Sequence, residues 1–227
     1  MRSTSVSFRQ NSVEALLDPD LQKALGKMGF LGARQRAVDA LPEWEQIRST
    51  AREIKEHTLA HLDFYLQEFE ANVEAQGGHV HWCSTPEEAC TTVVQILRDS
   101  GARTVTKGKS MAGEEIGLNE ALADATIDRL ETDLGEYIIQ LADEPPSHII
   151  APAIHKTKDQ ITELFHEHHQ KHGKTEPVTD VGAIVNEARE VLRDGFLSAD
   201  AGITGAYFFV AETGSIALVT NEGNGDL

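Results

Sequence analysis

The sequence predicts an α/β fold: a mainly parallel sheet with flanking helices, preceded by a helical N-terminal segment. Three observations predict it. From residue 79 onward, short β-branched runs alternate with stretches of helical periodicity. Capping residues, prolines and glycines mark the transitions between them. Near the end the period changes again, and GAYFFVAE and SIALVTN read as two strands joined by Thr213-Gly214. Alternating strands and helices imply βαβ units, parallel pairing and right-handed crossovers, whereas the final hairpin is antiparallel.

Taken in order, Asn11 and Ser12 are caps ahead of Val13, Leu16, Leu17, Leu21 and Leu25, which recur at helical spacing. Gly26, Gly29 and Gly32 interrupt that segment. Pro42 precedes one long helical run over 43–76, whose Trp44, Ile47, Ala51, Ile54, Leu59, Leu62, Leu66 and Phe69 share an apolar stripe. Gly77-Gly78 stops it, so 1–76 is the helical segment and 77–227 the α/β domain. HVHW (79–82) is the first strand. Thr85 caps a helix that has Pro86 at its first position and ends at Ser100-Gly101. RTVTK (103–107) is the second strand, and Ser110 caps the helix after it. TIDRL (126–130) is the third, followed by a short helix after Asp133. SHIIAPA (147–153) is the fourth, and helices over 157–172 and 179–197 follow.

Composition narrows the function. The 227 residues carry 37 acidic and 20 basic side chains, a formal charge of −17. That balance argues against a nucleic-acid or anionic-membrane surface, both of which require a basic face. Cys83 and Cys90 are too few for a disulfide framework or a four-cysteine metal site, and read as buried or idle thiols of a reducing compartment. The start MRSTSVSFRQ has no apolar leader core, and no run approaches the ~18 apolar residues of a membrane span. A soluble, cytoplasmic protein is expected.

In parallel α/β folds ligands sit beyond the carboxyl ends of the strands. Lys107, Lys109 and Ser110 follow the second strand. The Gly-Lys-Ser triplet is not a nucleotide phosphate loop, because Arg103 stands where that loop needs a glycine. Two lysines and a capping serine still suit a carboxylate or phosphate, against the plainer reading of a turn with solvated lysines. Glu131 ends the third strand, where it can pair with Lys107 or Lys109 or orient a substrate. Asp133 and Glu136 are explained by capping and the helix dipole. His155 is a candidate general acid or base, or merely a polar neighbour of a helix entry. His166, His168, His169 and His172 are read as a solvated helix terminus, and no metal site is assigned. Thr213 and Gly214 fit the hairpin turn, but turn chemistry does not require Glu212 beside them. The Asn221–Asn224 loop is polar and glycine-rich, which lets backbone approach a ligand.

The runs KGKSMAGEEIGLN (107–119), ETDLGEYIIQL (131–141), PPSHIIAPAIHK (145–156), FLSADAGITG (196–205) and AETGSIALVTNEGN (211–224), with WEQIR and GGHVHW before them, resemble the LutB-type lactate-utilisation iron–sulfur proteins. The N-terminal half of those proteins is an LUD domain. The resemblance implies an α/β fold related to the sugar-phosphate isomerase and CoA-transferase group. It also implies a part in oxidising L-lactate to pyruvate with electron transfer, alongside other lactate-utilisation subunits. It places [4Fe–4S] clusters in a C-terminal half with CxxCxxCxxxCP runs, which this sequence lacks, so no cofactor is expected in this chain. Within it, Lys107, Lys109, Ser110, Glu131, Thr213, Gly214, Asn221 and Asn224 would surround a small carboxylate such as lactate, with Glu212 and His155 as catalytic candidates. The chain alone is expected to be inactive. Two departures stand out: Gly108 where serine is expected, and Tyr207 where asparagine is usual. The sequence stops at Asp226-Leu227, where the family continues with another strand, so an open apolar sheet edge and self-association are expected. Two alternatives stay open. One is a transferase or sugar-phosphate-binding enzyme of the same fold, with Glu212 placed like a CoA-transferase nucleophile. The other is a non-catalytic scaffold docking through the 43–76 helix.

Overall fold

The computed structural model describes residues 5–26, 30–148, 151–220 and 223–226. They divide into two units: Met1–Gly26 with Cys83–Gly205 and Val219–Leu227, and Lys27–Trp82 with Ala206–Leu218.

Among the described residues the N-terminal segment holds five α-helices: α1 (Phe8–Leu17), α2 (Pro19–Leu25), α3 (Phe30–Asp39), α4 (Trp44–Ala60) and α5 (Leu62–Ala75). Asn11 and Ser12 lie inside α1 rather than capping it. The working cap is Asp18, whose side chain accepts from the Asp20 and Leu21 amides, with Pro19 at the first position of α2. The expected single helix over 43–76 breaks at His61, whose φ of −130° leaves the helical region. Of its apolar stripe Phe69 is buried, while Ile47, Ile54, Leu59 and Leu62 are exposed. Residues 79–82 are not a strand. They pair with no strand among the described residues, and Trp82 donates to Glu70 Oε1 at 2.6 Å.

The α/β part follows the sequence pattern closely at first. Thr85 caps α6 (Pro86–Asp99) through the Glu88 amide, with Pro86 at the first position. Then come β1 (Thr104–Lys107), α7 (Met111–Ile116), α8 (Leu118–Asp124), β2 (Asp128–Glu131) and α9 (Leu134–Ala142). The fourth expected strand is absent among the described residues of 147–153: Pro152–His155 form a turn, and Ile149 and Ile150 lie outside the description. Ser147 donates through both its amide and its hydroxyl to Pro152 O, folding the segment on itself instead of extending it. The capping box of Thr157 and Gln160 opens α10 (Lys158–His169), and Asp180 caps α11 (Val181–Ser198). The next strand, β3 (Ala201–Ile203), was not anticipated. The hairpin β4 (Phe208–Val210) and β5 (Ser215–Ala217) is antiparallel, as predicted.

Three parallel strands in the order β2-β1-β3 centre the first unit. Asp200 staples their starting ends: one carboxylate oxygen accepts from the amides of Arg103 and Thr104 and from the Thr104 hydroxyl, at 2.9–3.0 Å. Alternation along β1 sends Val105 and Thr106 to opposite faces. Val105 joins Cys90, Leu97, Leu118, Leu122 and Ile127 in one core. Leu130 packs on the other core, built from Tyr137, Ile138, Phe165, Ile184, Ala188 and Leu192 on α9, α10 and α11.

In the second unit, the Phe209 ring stacks on Phe69 at 4.8 Å, and Asn72 Nδ2 donates to the main-chain oxygens of Ala211 and Glu212. Gly214 has φ +67°, and a Cβ there would lie 2.5 Å from the Asn72 main-chain carbon. Both effects require glycine. Gly214→Ala should therefore cost about 1–3 kcal/mol in urea unfolding, with lost amide protection across 208–217. Unchanged stability and protection would contradict this packing.

Candidate functional site

The parallel register fixes the site. It sets Lys107 opposite both Glu131 and Ile203, so three strand carboxyl ends lie side by side. Lys107 is 1% exposed. Its ammonium lies 2.9 Å from Glu114 Oε1 and 3.1 and 3.3 Å from the two oxygens of Glu131. Arg129 reaches Glu131 Oε1 at 3.4 Å, and Asn119 donates to Glu114 at 3.0 Å. Burial works on both partners: it pushes the Glu131 carboxyl up and by itself would push Lys107 down. Glu131 and Glu114 together outweigh it and hold Lys107 above the usual lysine value, so the cation is firmly charged.

Beyond Lys107 the chain turns sharply. The Gly108 amide donates to Ile203 O at 2.8 Å, and a Cβ at Gly108 would sit 3.2 Å from Thr204 Oγ1. A Cβ at Gly205 would lie 2.8 Å from Lys109 O, so this backbone crossing needs glycine. Ser110 caps α7 by accepting from the Gly113 amide at 3.1 Å. Lys109 pairs with Asp133 Oδ2 at 2.8 Å, its side chain one-third exposed at 33%. The other Asp133 oxygen caps α9 through the Glu136 amide at 3.0 Å. Thr132 donates to Lys107 O and accepts from Asn224 Nδ2, both at 3.1 Å.

Glu136, in the first turn of α9, is the residue that sequence reasoning explained away. Burial first, then the neighbouring Glu131, pushes its carboxyl up to about 7. Glu114 was also missed, although it lies seven residues after Lys107 within the same unusual run. The signal for both was an excess of acids around two lysines: Glu114, Glu131, Asp133 and Glu136.

The structure thus brings together Lys107, Lys109, Ser110, Glu131 and Asn224. Glu131 pairs with Lys107, one of the two partners its position allowed. Asn221 lies outside the described residues. His155 sits elsewhere in the first unit, half-buried between Glu144 Oε2 and Ser147 Oγ, both at 2.8 Å, with Lys156 on the same glutamate. Glu212, Thr213 and Gly214 belong to the second unit. There Glu212 is exposed, and the Thr213 hydroxyl donates to Ser215 Oγ. The histidine cluster is not a solvated terminus throughout, because His169 is fully buried. A [4Fe–4S] cluster takes four thiolates; the chain has only Cys83, exposed, and Cys90, buried, so its residues do not fit one.

The first unit is therefore an α/β domain whose parallel strand ends carry a buried ammonium–carboxylate cluster beside a partly exposed lysine. The LUD domain family matches residues 66–227, and the chain belongs to that family. It is 48% identical over 230 residues to lactate utilization protein B of Bacillus velezensis, covering 100% of this chain and 48% of the relative. It is 50% identical over 192 residues to the same-named protein of Shouchella clausii, covering 84% and 40%. It is 43% identical over 226 residues to the uncharacterized electron transport protein YkgF of Escherichia coli K12, covering 99% and 47%. The chain thus spans about half the length of these curated relatives. No solved structure matches it significantly.

Two outcomes test the electrostatics. Lys107→Met strands buried carboxylates and should cost about 3–5 kcal/mol, part of it recovered in Lys107→Met/Glu131→Gln; purely additive losses would refute the pairing. Glu136 has a folded value above its unfolded one, so its contribution is full below about 4.5 and is lost as pH rises through about 7. Glu136→Gln should match the parent at low pH and exceed it at pH 8 by about 1–2 kcal/mol, a figure reduced for solvent screening. Equal pH–stability curves would contradict the assignment.

Proposed function

We propose that this chain is the LUD portion of a lactate-utilisation protein and that its strand ends bind a small carboxylate such as L-lactate. The observation that carries this reading is the difference in exposure between two lysines, 1% for Lys107 and 33% for the Lys109 side chain. Lys107 is sealed and already neutralised by Glu114 and Glu131, so it organises the site. Lys109 is partly exposed, and its carboxylate partner Asp133 can be exchanged for an incoming one. Glu136, protonated below about pH 7, can donate a hydrogen bond to the same ligand. Ser110 and the Thr132–Asn224 pair line the approach.

The relatives' names support lactate as the carboxylate and an electron-transport setting for the whole protein. In this reading, lactate oxidation to pyruvate takes place in the cytoplasm. Iron–sulfur clusters, if held by polypeptide outside these 227 residues, would supply the electron-transfer chemistry. Other lactate-utilisation subunits are the expected partners. The apolar hairpin β4–β5, with Tyr207, Phe208, Phe209 and Ile216 exposed, is the surface for self-association. A second reading, a transferase using Glu212, rests on the exposure of that carboxylate at a turn held by Asn72. An acyl adduct trapped on Glu212 would favour it.

Titration calorimetry with L-lactate tests the first reading. Lys109→Ala should weaken binding about tenfold or more. Binding by the parent should strengthen from pH 8 to pH 6, and Glu136→Gln should flatten that dependence. Undiminished binding by Lys109→Ala would overturn the assignment.

A further inference from the structure

Three helices of the first unit meet at one polar chain inside an otherwise apolar core. Tyr137 of α9 places its hydroxyl 3.0 Å from His169 Nε2 at the end of α10. His169 Nδ1 lies 2.8 Å from Glu187 Oε1 of α11. All three side chains are buried, His169 completely. Phe165 packs against the imidazole at 4.4 Å between ring centroids, and the Tyr137 ring stacks nearly parallel to it. None of these groups belongs to the strand-end cluster.

The hydrogen-bond chemistry selects one protonation state. A carboxylate only accepts, so Nδ1–H donates to Glu187. The neutral imidazole then presents Nε2 as an acceptor, and the Tyr137 hydroxyl donates to it. In this arrangement both imidazole nitrogens, the Tyr137 hydroxyl hydrogen and Glu187 Oε1 each have a partner. A second proton on His169 turns Nε2 into a donor, so the Tyr137 hydroxyl must accept and swing its own hydrogen away from the one acceptor it has among the described residues. An unmade bond at such a buried position costs more than the bond contributes when made.

We propose that Tyr137, His169 and Glu187 form an acid-sensitive clamp, which locks α10 and α11 onto α9 while His169 is neutral and loosens when it takes up a proton. The titratable groups acting on His169 are Glu187 from α11, Tyr137 from α9, His172 from the following turn and His168 on its own helix. Burial holds His169 below its usual value although Glu187 pulls the other way. Burial and Glu187 push Tyr137 up to about 12, so it stays a donor. The clamp reaches the strand ends through α9, which opens at Asp133 and which Gln140 ties to β2 by bonds to Glu131 N and Arg129 O. It stands whether or not lactate binds there.

The sign follows from linkage. The unfolded histidine takes its proton near pH 6.5. The folded one resists, so stability falls as pH drops below about 6.5 towards the lower folded value. Thermal unfolding of the 227-residue chain between pH 8 and pH 5 reads this. Glu187→Gln keeps an acceptor for Nδ1–H but removes the counter-charge, so it should resemble the parent at pH 8 and lose more stability at pH 5. His169→Gln should start lower and show a shallower acid slope. Imidazole NMR of the parent covers the case in which that variant fails to fold. His169 should show the Nδ1–H tautomer and titrate below 6.5. A charged His169 at pH 7, or an unaltered acid slope in Glu187→Gln, would overturn the clamp.

Discussion

One buried ammonium governs the α/β unit. Lys107 ends the central strand of a three-stranded sheet, where water cannot solvate it. An unpaired charge at that depth is prohibitive, so carboxylates must come to it. Parallel register supplies Glu131 from the neighbouring strand, and the helix after β1 supplies Glu114. Meeting both demands fixes where β2 ends, where α7 begins and how sharply the chain turns at Gly108. Lys109 and Asp133 then fall at the rim of the same cluster, with Asp133 also capping α9. The site's geometry is thus a by-product of neutralising one lysine.

That arrangement separates two chemical roles that look alike in sequence. Two lysines two residues apart invite a symmetrical reading as a phosphate or carboxylate clamp. Lys107 ends β1 sealed among carboxylates, whereas Lys109 lies past the turn at Gly108 and is partly exposed. Burial, and then the negative charge of Glu131, Glu114 and Asp133, raises the affinity of Glu136 for a proton. A carboxylic acid near neutrality beside an exchangeable lysine suits a small monocarboxylate better than a highly charged phosphate.

Much of this was legible in the sequence where local rules coincide with tertiary demands. Thr85-Pro86, Ser110 and Asp133 each cap a helix where expected, because short-range capping chemistry needs no distant partner. The 208–217 hairpin was legible for the same reason. HVHW and SHIIAPA have the composition of strands, but a strand needs a neighbour to bond, and 79–82 pair with none among the described residues. β3 failed in the opposite sense: Ala201–Ile203 is too short to signal, and it extends because β1 offers an edge and Asp200 pins its start. His169 was mistaken for surface because its helix end is polar on both sides in sequence. Only the packing of α9 and α11 encloses it. Glu136 was assigned to the helix dipole, which is correct for its position and silent about burial and about Glu131 and Glu114 brought in from elsewhere.

The central claim is that Lys107 organises and Lys109 receives. Ammonium-detected NMR of 15N-lysine-labelled protein, with and without L-lactate, tests it most directly. The account predicts a slowly exchanging Lys107 ammonium that lactate leaves in place, and a fast-exchanging Lys109 signal that moves on titration. A Lys107 signal that exchanges freely, or that shifts with lactate while Lys109 stays still, would contradict it.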